Sequence, residues 1–196
     1  MGQATALRVA IDLVHVPSRV RIMRAAPLPS DVHILLRIAA GDEAAEIEAA
    51  ELTGRSPEVV RKAAAFFIEQ VLLCPGADSY RVLGAPPQAS SGELRRNMAL
   101  LLKWLHPDMD QKGHRSIFAT RVTGAWDELK TPARRADHDG VAAELREKKA
   151  RIERSKGSTR SRRKALGKFL VRTPQTGKKP GLIQRVLWYL RRRPKY

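Results

Sequence analysis

The segment from Ser91 to Asp108 has the sequence SGELRRNMALLLKWLHPD. Its large apolar residues recur mostly at spacings of three and four: Leu94, Met98, Leu101, Leu102 and Leu105. Residues at these spacings share one face of a helix, so the pattern predicts an amphipathic helix that packs on a partner. Pro107 cannot continue a helix, and the residues around it therefore form a loop.

The neighbouring sequence predicts the partner of this helix. Ser90 or Ser91 is the expected N-cap, with Glu93 in the first turn. A second helix is predicted from about Ser116 to Lys130, and its apolar residues repeat the spacing: Phe118, Val122, Ala125, Trp126 and Leu129. Two such helices joined by a short loop predict an antiparallel hairpin, which would display the loop at one end.

Further residues on both sides match a known family. The opening Asp78–Gly84, DSYRVLG, resembles the D-Y-x-x-L-G that begins J-domains, and Ala89 to Lys103 resembles their basic second helix. The segment from Arg135 to Asp139 resembles their closing R-x-x-Y-D, with His138 in the place of the tyrosine. The loop after the second helix contains the tripeptide His106-Pro107-Asp108. The ordered pattern around this tripeptide, more than the tripeptide itself, carries the resemblance to J-domain co-chaperones.

The resemblance implies a mainly α protein with a four-helix J-domain over residues 78–140. A J-domain binds a DnaK-type ATPase chaperone and stimulates its ATP hydrolysis, which assists protein folding or client delivery. It implies that His106, Pro107 and Asp108 make this contact. Pro107 would rigidify the turn, Asp108 would accept hydrogen bonds from a partner arginine, and His106 would orient the loop or donate to the partner.

The basic face of the second helix would dock on an acidic surface of the ATPase. Its expected members are Arg95, Arg96 and Lys103. Family members place a tyrosine and basic residues one turn into this helix, where this chain has Met98-Ala99-Leu100. The sequence leaves open how strongly this chain stimulates ATP hydrolysis, and which client and which chaperone it serves.

Residues 1–77 precede the J-like segment and predict a small helical domain of unknown role. Alternating apolar residues favour a β-hairpin at residues 7–24, before a helix capped by Ser30. Asp42 opens a second helix that Gly54 ends, and Ser56-Pro57 begins a third that runs to about Leu73. The breaker Cys74-Pro75-Gly76 predicts a domain boundary.

An alternative function comes from residues 50–62, AELTGRSPEVVRK, which have the spacing of a helix-turn-helix. With the basic tail, this segment favours a nucleic-acid-binding protein. The third helix continues, however, into Ala63–Ile68, AAAFFI, which is typical of a buried helix rather than of one that reads base edges.

Residues 141–196 form a basic tail. They carry 19 Lys and Arg against three acids, whereas residues 1–140 hold the remaining 18 bases and 17 acids of a chain whose net charge is +17. Such a tail suits a polyanion, whether RNA, the ribosome or an anionic membrane surface. A charged helix is expected from Glu144 to about Arg154, followed by a disordered linker from Ser155 to Pro180.

The end of the tail, residues 181–193, forms a short amphipathic segment. Trp188 and Tyr189 favour membrane interfaces, and Arg191, Arg192 and Arg193 can pair with anionic headgroups or phosphates. The segment also has an apolar stripe, formed by Leu182, Ile183, Val186, Leu187 and Leu190. This stripe could instead dock on the globular part of the same protein.

The remaining features exclude other classes of protein. The chain has one cysteine, no secretory signal and no apolar run near 18 residues. These features predict a cytoplasmic protein, and its tail allows a peripheral position at the inner face of a membrane. The loop residues His106, Asp108, Asp110 and His114 do not complete a metal ligand set. We expect no catalytic residue, metal or cofactor.

Overall fold

A computed structural model describes residues 5–106 and 116–169 of this chain. These residues are mainly helical, as the sequence predicts. The α-helices are α1 Ala6–His15, α2 Val20–Ala25, α3 Val32–Ala39, α4 Glu43–Thr53, α5 Pro57–Phe67, α6 Ser79–Val82, α7 Ser91–Trp104, α8 Ser116–Leu129 and α9 Pro132–Phe169. A 3-10 turn, Pro17–Arg19, leads into α2, and a π-helical turn, Ile68–Leu72, prolongs α5.

The β-hairpin predicted for residues 7–24 is wrong, because α1 and α2 occupy this segment. The buried residues of α1 follow the helical period: Ala6, Leu7, Ala10, Ile11 and Leu13. Ala6 and Ala10 complete this face. Alanine is only weakly hydrophobic, so the alternation of the larger apolar residues dominates the sequence pattern. Pro17 then starts the 3-10 turn in place of a strand.

The starts of the next three helices test the capping predictions. Ser30 does not cap α3, because the left-handed Asp31 (φ 64°) occupies the N-cap position, where no side-chain cap hydrogen bond forms. The Ser30 carbonyl instead accepts the N–H of Ala6 at 2.9 Å. Asp42 caps α4 as predicted, since its carboxylate accepts the N–H of Ala45 at 3.1 Å. The predicted Ser56-Pro57 start of α5 is also confirmed.

Helices from residues 1–77 and from the J-like segment share one hydrophobic core. Its fully buried side chains include Leu35 of α3, Phe67 of α5, Leu101 of α7 and Leu129 of α8. Helix α5 packs against α1, α3 and α4, while α7 packs against both α3 and α8. The core is therefore continuous across the connection at residues 74–76, and the division into domains at residues 77 and 78 stays a prediction.

Helix α9 begins at Pro132, before the predicted start at Glu144, and its described part also runs further than predicted. Residues up to Ala143 belong to one compact unit, and the residues from Glu144 belong to a second. The helix continues to Phe169, so the linker predicted from Ser155 is wrong over residues 155–169, and the rest of it lies outside the described residues. The many Lys, Arg and Ala residues favour helix, and no proline interrupts the segment before Pro174.

Candidate docking site on helix α7

Helix α7 begins with a complete capping box, in which Ser90, one of the two predicted N-cap residues, is the cap. The Ser90 hydroxyl accepts the N–H of Glu93 at 3.2 Å, and the Glu93 carboxylate accepts the N–H of Ser90 at 2.7 Å. The hydrogen bond from the Ser90 backbone, followed by the one from its hydroxyl, lowers the pKa of Glu93. Two of the helix's first donors are thereby satisfied, which defines where α7 starts.

Helix α7 has one buried and one exposed face. Leu94, Asn97, Leu101 and Trp104 are buried. Arg95, Arg96, Ala99 and Lys103 are exposed. At about 100° per residue these four exposed positions lie within an arc of about 100°. The three predicted docking bases are therefore brought together on one side of the helix, opposite the side that holds it in the core.

His106 lies just beyond the end of this helix. It is exposed, and its backbone N–H donates to the Lys103 carbonyl at 3.2 Å, so the turn of α7 continues up to it. Pro107 and Asp108, which complete the predicted contact, lie outside the described residues. The same is true of the predicted tail contacts Trp188, Tyr189, Arg191, Arg192 and Arg193.

The triplet that departs from the family pattern has two different environments. Met98 and Leu100 are half-buried and pack against the hydrophobic core, whereas Ala99 is exposed. Only Ala99 therefore lies on the basic face. The missing docking residues amount to one uncharged position in the middle of that face, and the other two positions are used for packing.

Asn97 is a buried polar residue that sequence reasoning missed. Its amide donates to the carbonyls of Leu83 at 3.0 Å and Gly84 at 3.4 Å, and its side-chain oxygen lies 3.0 Å from Nδ1 of His33 on α3. Asn97 thus joins α7 to the turn after α6 and to the N-terminal helices. A single asparagine within an apolar stripe was the available signal, because a buried amide needs hydrogen-bonding partners.

The closing segment of the J-like region contacts α6 through aromatic and polar side chains. The Tyr80 hydroxyl donates to Asp139 at 3.2 Å, and the Tyr80 and His138 rings meet edge to face with centroids 5.5 Å apart. The Arg135 guanidinium lies 5.8 Å from the Tyr80 ring centroid and donates to the Ala89 carbonyl at 3.0 Å. Burial, and then the hydrogen bond to Asp139, raises the pKa of Tyr80. His138 therefore packs on Tyr80 from the position that the family gives to tyrosine.

The helix-turn-helix-like segment lies on α4 and α5, which are joined by the left-handed Gly54. Arg61, the arginine in the recognition position, donates to the Glu46 carboxylate of α4 from Nε at 3.1 Å and from Nη2 at 2.5 Å. This hydrogen bond, with the carboxylate charge, raises the pKa of Arg61. Phe67 and Ile68 are fully buried, as the apolar run predicts. Arg61 therefore makes an intramolecular pair.

Comparisons of this chain with protein-family models, with curated proteins and with solved structures found no match. Among residues 5–106 and 116–169, the structure has no helix whose length and apolarity would let it cross a membrane.

Proposed function

We propose that this protein is a J-domain co-chaperone, which binds a DnaK-type ATPase and stimulates its ATP hydrolysis. The observation that carries the proposal is the exposed face of α7, where Arg95, Arg96 and Lys103 lead to the exposed His106. The opposite face is buried against α8 and α3. Such a helix holds its basic face rigidly and can present it to a partner.

The contacts around α6 support the same proposal. Helix α6, formed by the J-like opening, packs against α8, and its Tyr80 contacts Arg135, His138 and Asp139 of the closing segment. The residues that were recognised as the first and last parts of the family pattern are thus in contact with each other. A chance match of separate short motifs gives no reason for these residues to meet.

The chemistry proposed for this surface is recognition without bond making. Three cations on one helix face attract an acidic surface, and this attraction speeds encounter and weakens as salt screens it. His106, with Pro107 and Asp108, then makes the specific contact that triggers hydrolysis in the ATPase. Held clients would be released or folded by the chaperone, and residues 1–77 and the tail would select the client or the place of action.

The test is the steady-state ATP turnover of the host's DnaK-type chaperone with the intact chain at low salt. We expect stimulation by the wild-type protein, loss of stimulation with His106→Gln, and retention of it with His15→Gln. His15 lies on α1, away from the proposed surface, and its Nδ1 lies 2.8 Å from the carbonyl of Ile11. Circular dichroism of both variants checks that each one is folded.

A charge-matched pair of variants tests the basic face itself. Neutralising Arg95, Arg96 and Lys103 to Gln should weaken stimulation most at low salt. Neutralising the exposed Arg8, Arg19 and Arg21 to Gln removes the same charge from the N-terminal helices. No stimulation by the folded wild-type chain, or equal losses from both triple variants, would refute the proposal.

Nucleic-acid binding through residues 50–62 is the alternative that the sequence left open. The pairing of Arg61 with Glu46 gives it no support, because Nε and Nη2 of Arg61 already donate to the Glu46 carboxylate within the protein. Nucleic-acid retention that falls on Arg61→Ala but not on Arg55→Ala would restore this alternative.

A further inference from the structure

The helical part of the tail suggests a second binding activity, which does not depend on the proposed function. Arg154–Lys164 is helical and reads RSKGSTRSRRK. We call it the basic segment. It contains six Lys and Arg, four Ser and Thr, one Gly, and no acid or apolar residue. An unbroken run of this kind offers nothing to a hydrophobic core, and its concentrated positive charge attracts polyanions.

The charge density of the basic segment is close to that of a nucleic-acid strand. Eleven residues of α-helix span about 16 Å, so the six Lys and Arg residues have a mean spacing of about 2.7 Å along the helix axis. Phosphates follow each other at about 3.4 Å along one DNA strand. The interleaved serines and threonine carry hydroxyls, which commonly donate to phosphate oxygens beside Lys and Arg.

The distribution of the bases around the helix favours a groove over a flat surface. At about 100° per residue, the six basic positions fall on all sides of the axis. A helix in the major groove of B-form DNA has phosphates on both flanks, and the groove, about 12 Å wide, admits a helix. The major groove of duplex RNA is too narrow for this. A membrane meets one side of a helix and requires an apolar face, which these three turns lack.

We propose that the basic segment binds the phosphate backbone of duplex DNA without sequence specificity. Four Arg and two Lys supply the charges: Arg154, Lys156, Arg160, Arg162, Arg163 and Lys164. Contacts to phosphate release condensed counterions, so affinity falls with salt by about one unit of logarithmic slope for each contact.

The test is fluorescence anisotropy of the full chain with a labelled 20-base-pair DNA duplex, an RNA duplex of the same sequence, and phosphatidylglycerol-containing vesicles. We expect Arg160→Gln, Arg162→Gln and Arg163→Gln together to weaken DNA binding about tenfold or more at 100 mM salt, and to reduce the salt slope by up to about three. Glutamine is a good helix former, so the helix should persist, which circular dichroism checks.

Two matched variants remove the same charge elsewhere. The Arg8, Arg19 and Arg21 triple neutralises the N-terminal helices, and the Arg191, Arg192 and Arg193 triple neutralises the end of the tail. Each should weaken DNA binding clearly less than the triple in the basic segment. The proposal would be overturned by equal effects of the three triples, by no DNA binding at 50 mM salt, by RNA binding as tight as DNA binding, or by tighter binding to the vesicles.

Discussion

Replacing Gly84 by alanine tests how tightly the J-like segment packs on the N-terminal helices. It ends the opening motif, is buried and has φ +63°. A Cβ added there would lie 3.1 Å from Cγ1 of Val32, 3.3 Å from Cδ1 of Leu72 and 3.4 Å from Cδ1 of Leu36. All three neighbours belong to residues 1–77, so Gly84→Ala forces a methyl group against that part of the protein.

Gly54 provides the matched control. Its φ is +62°, almost the same as that of Gly84, but a Cβ added there has no atom within 4 Å. Placing alanine in the left-handed region costs about 1–2 kcal/mol at either site. The loss of unfolded-state entropy on replacing glycine by alanine is also common to both sites, and both contributions cancel in the comparison.

The difference between the two variants therefore reports the packing alone. Leucine methyl groups can move, but the β-branched Val32 is stiff, so we expect overpacking to cost at least about 1 kcal/mol. Gly84→Ala should lower the free energy of unfolding by about 2–4 kcal/mol and Gly54→Ala by about 1–2 kcal/mol. Urea unfolding followed by tryptophan fluorescence measures both, and Trp104 is buried in the same core. Equal losses would show that residues 1–77 do not pack against Gly84.

Two further predictions test the polar contacts of the J-like region. Asn97→Ala should lower the free energy of unfolding by about 2–3 kcal/mol, because two buried carbonyls lose their donor. The control Arg95→Ala, on the exposed face, should change it by less than about 0.5 kcal/mol. Equal losses of stability in urea unfolding would contradict the role of Asn97 as a buried hydrogen-bond donor. The pKa of Tyr80 is raised in the folded protein, so the neutral phenol stabilises the fold below the unfolded pKa near 10, and this stability is lost as pH rises through the folded pKa. Tyr80→Phe should reduce the loss of stability between neutral pH and pH 11, as measured by urea unfolding, and an unchanged pH dependence would contradict the assignment.

Capping residues and periodicity allowed much of the helical structure to be predicted from the sequence. Asp42, Ser56 and Ser90 precede helices α4, α5 and α7, and the apolar spacing of α7 gives the face that is buried. These are local properties, because a cap depends on the few backbone donors beside it and a helical face on neighbours three and four residues away. The prediction failed at residues 7–24, where two alanines complete the helical face of α1.

The residues of the candidate site could be predicted from the sequence, but the hydrogen bonds that hold its helix in place could not. The sequence identifies Arg95, Arg96, Lys103 and His106, and the structure brings the three bases to one exposed face that ends near His106. It does not reveal that Asn97 joins three parts of the chain, since its partners Leu83 and His33 are distant in sequence. Hydrogen bonds of this kind depend on how helices approach each other.

The amino-acid sequence is sufficient to predict the helical class, the starts of helices α4, α5, α7 and α8, the basic face of α7 and the concentration of charge in the tail. Each of these follows from spacing, capping or residue type, which act over a few residues. The packing of α3 on α7, the closeness of Gly84 to Val32 and Leu36, and the pairing of Arg61 with Glu46 are seen only in the folded protein. Such contacts depend on close packing between distant segments, and shape complementarity in a core is a property of the assembled helices rather than of any one of them.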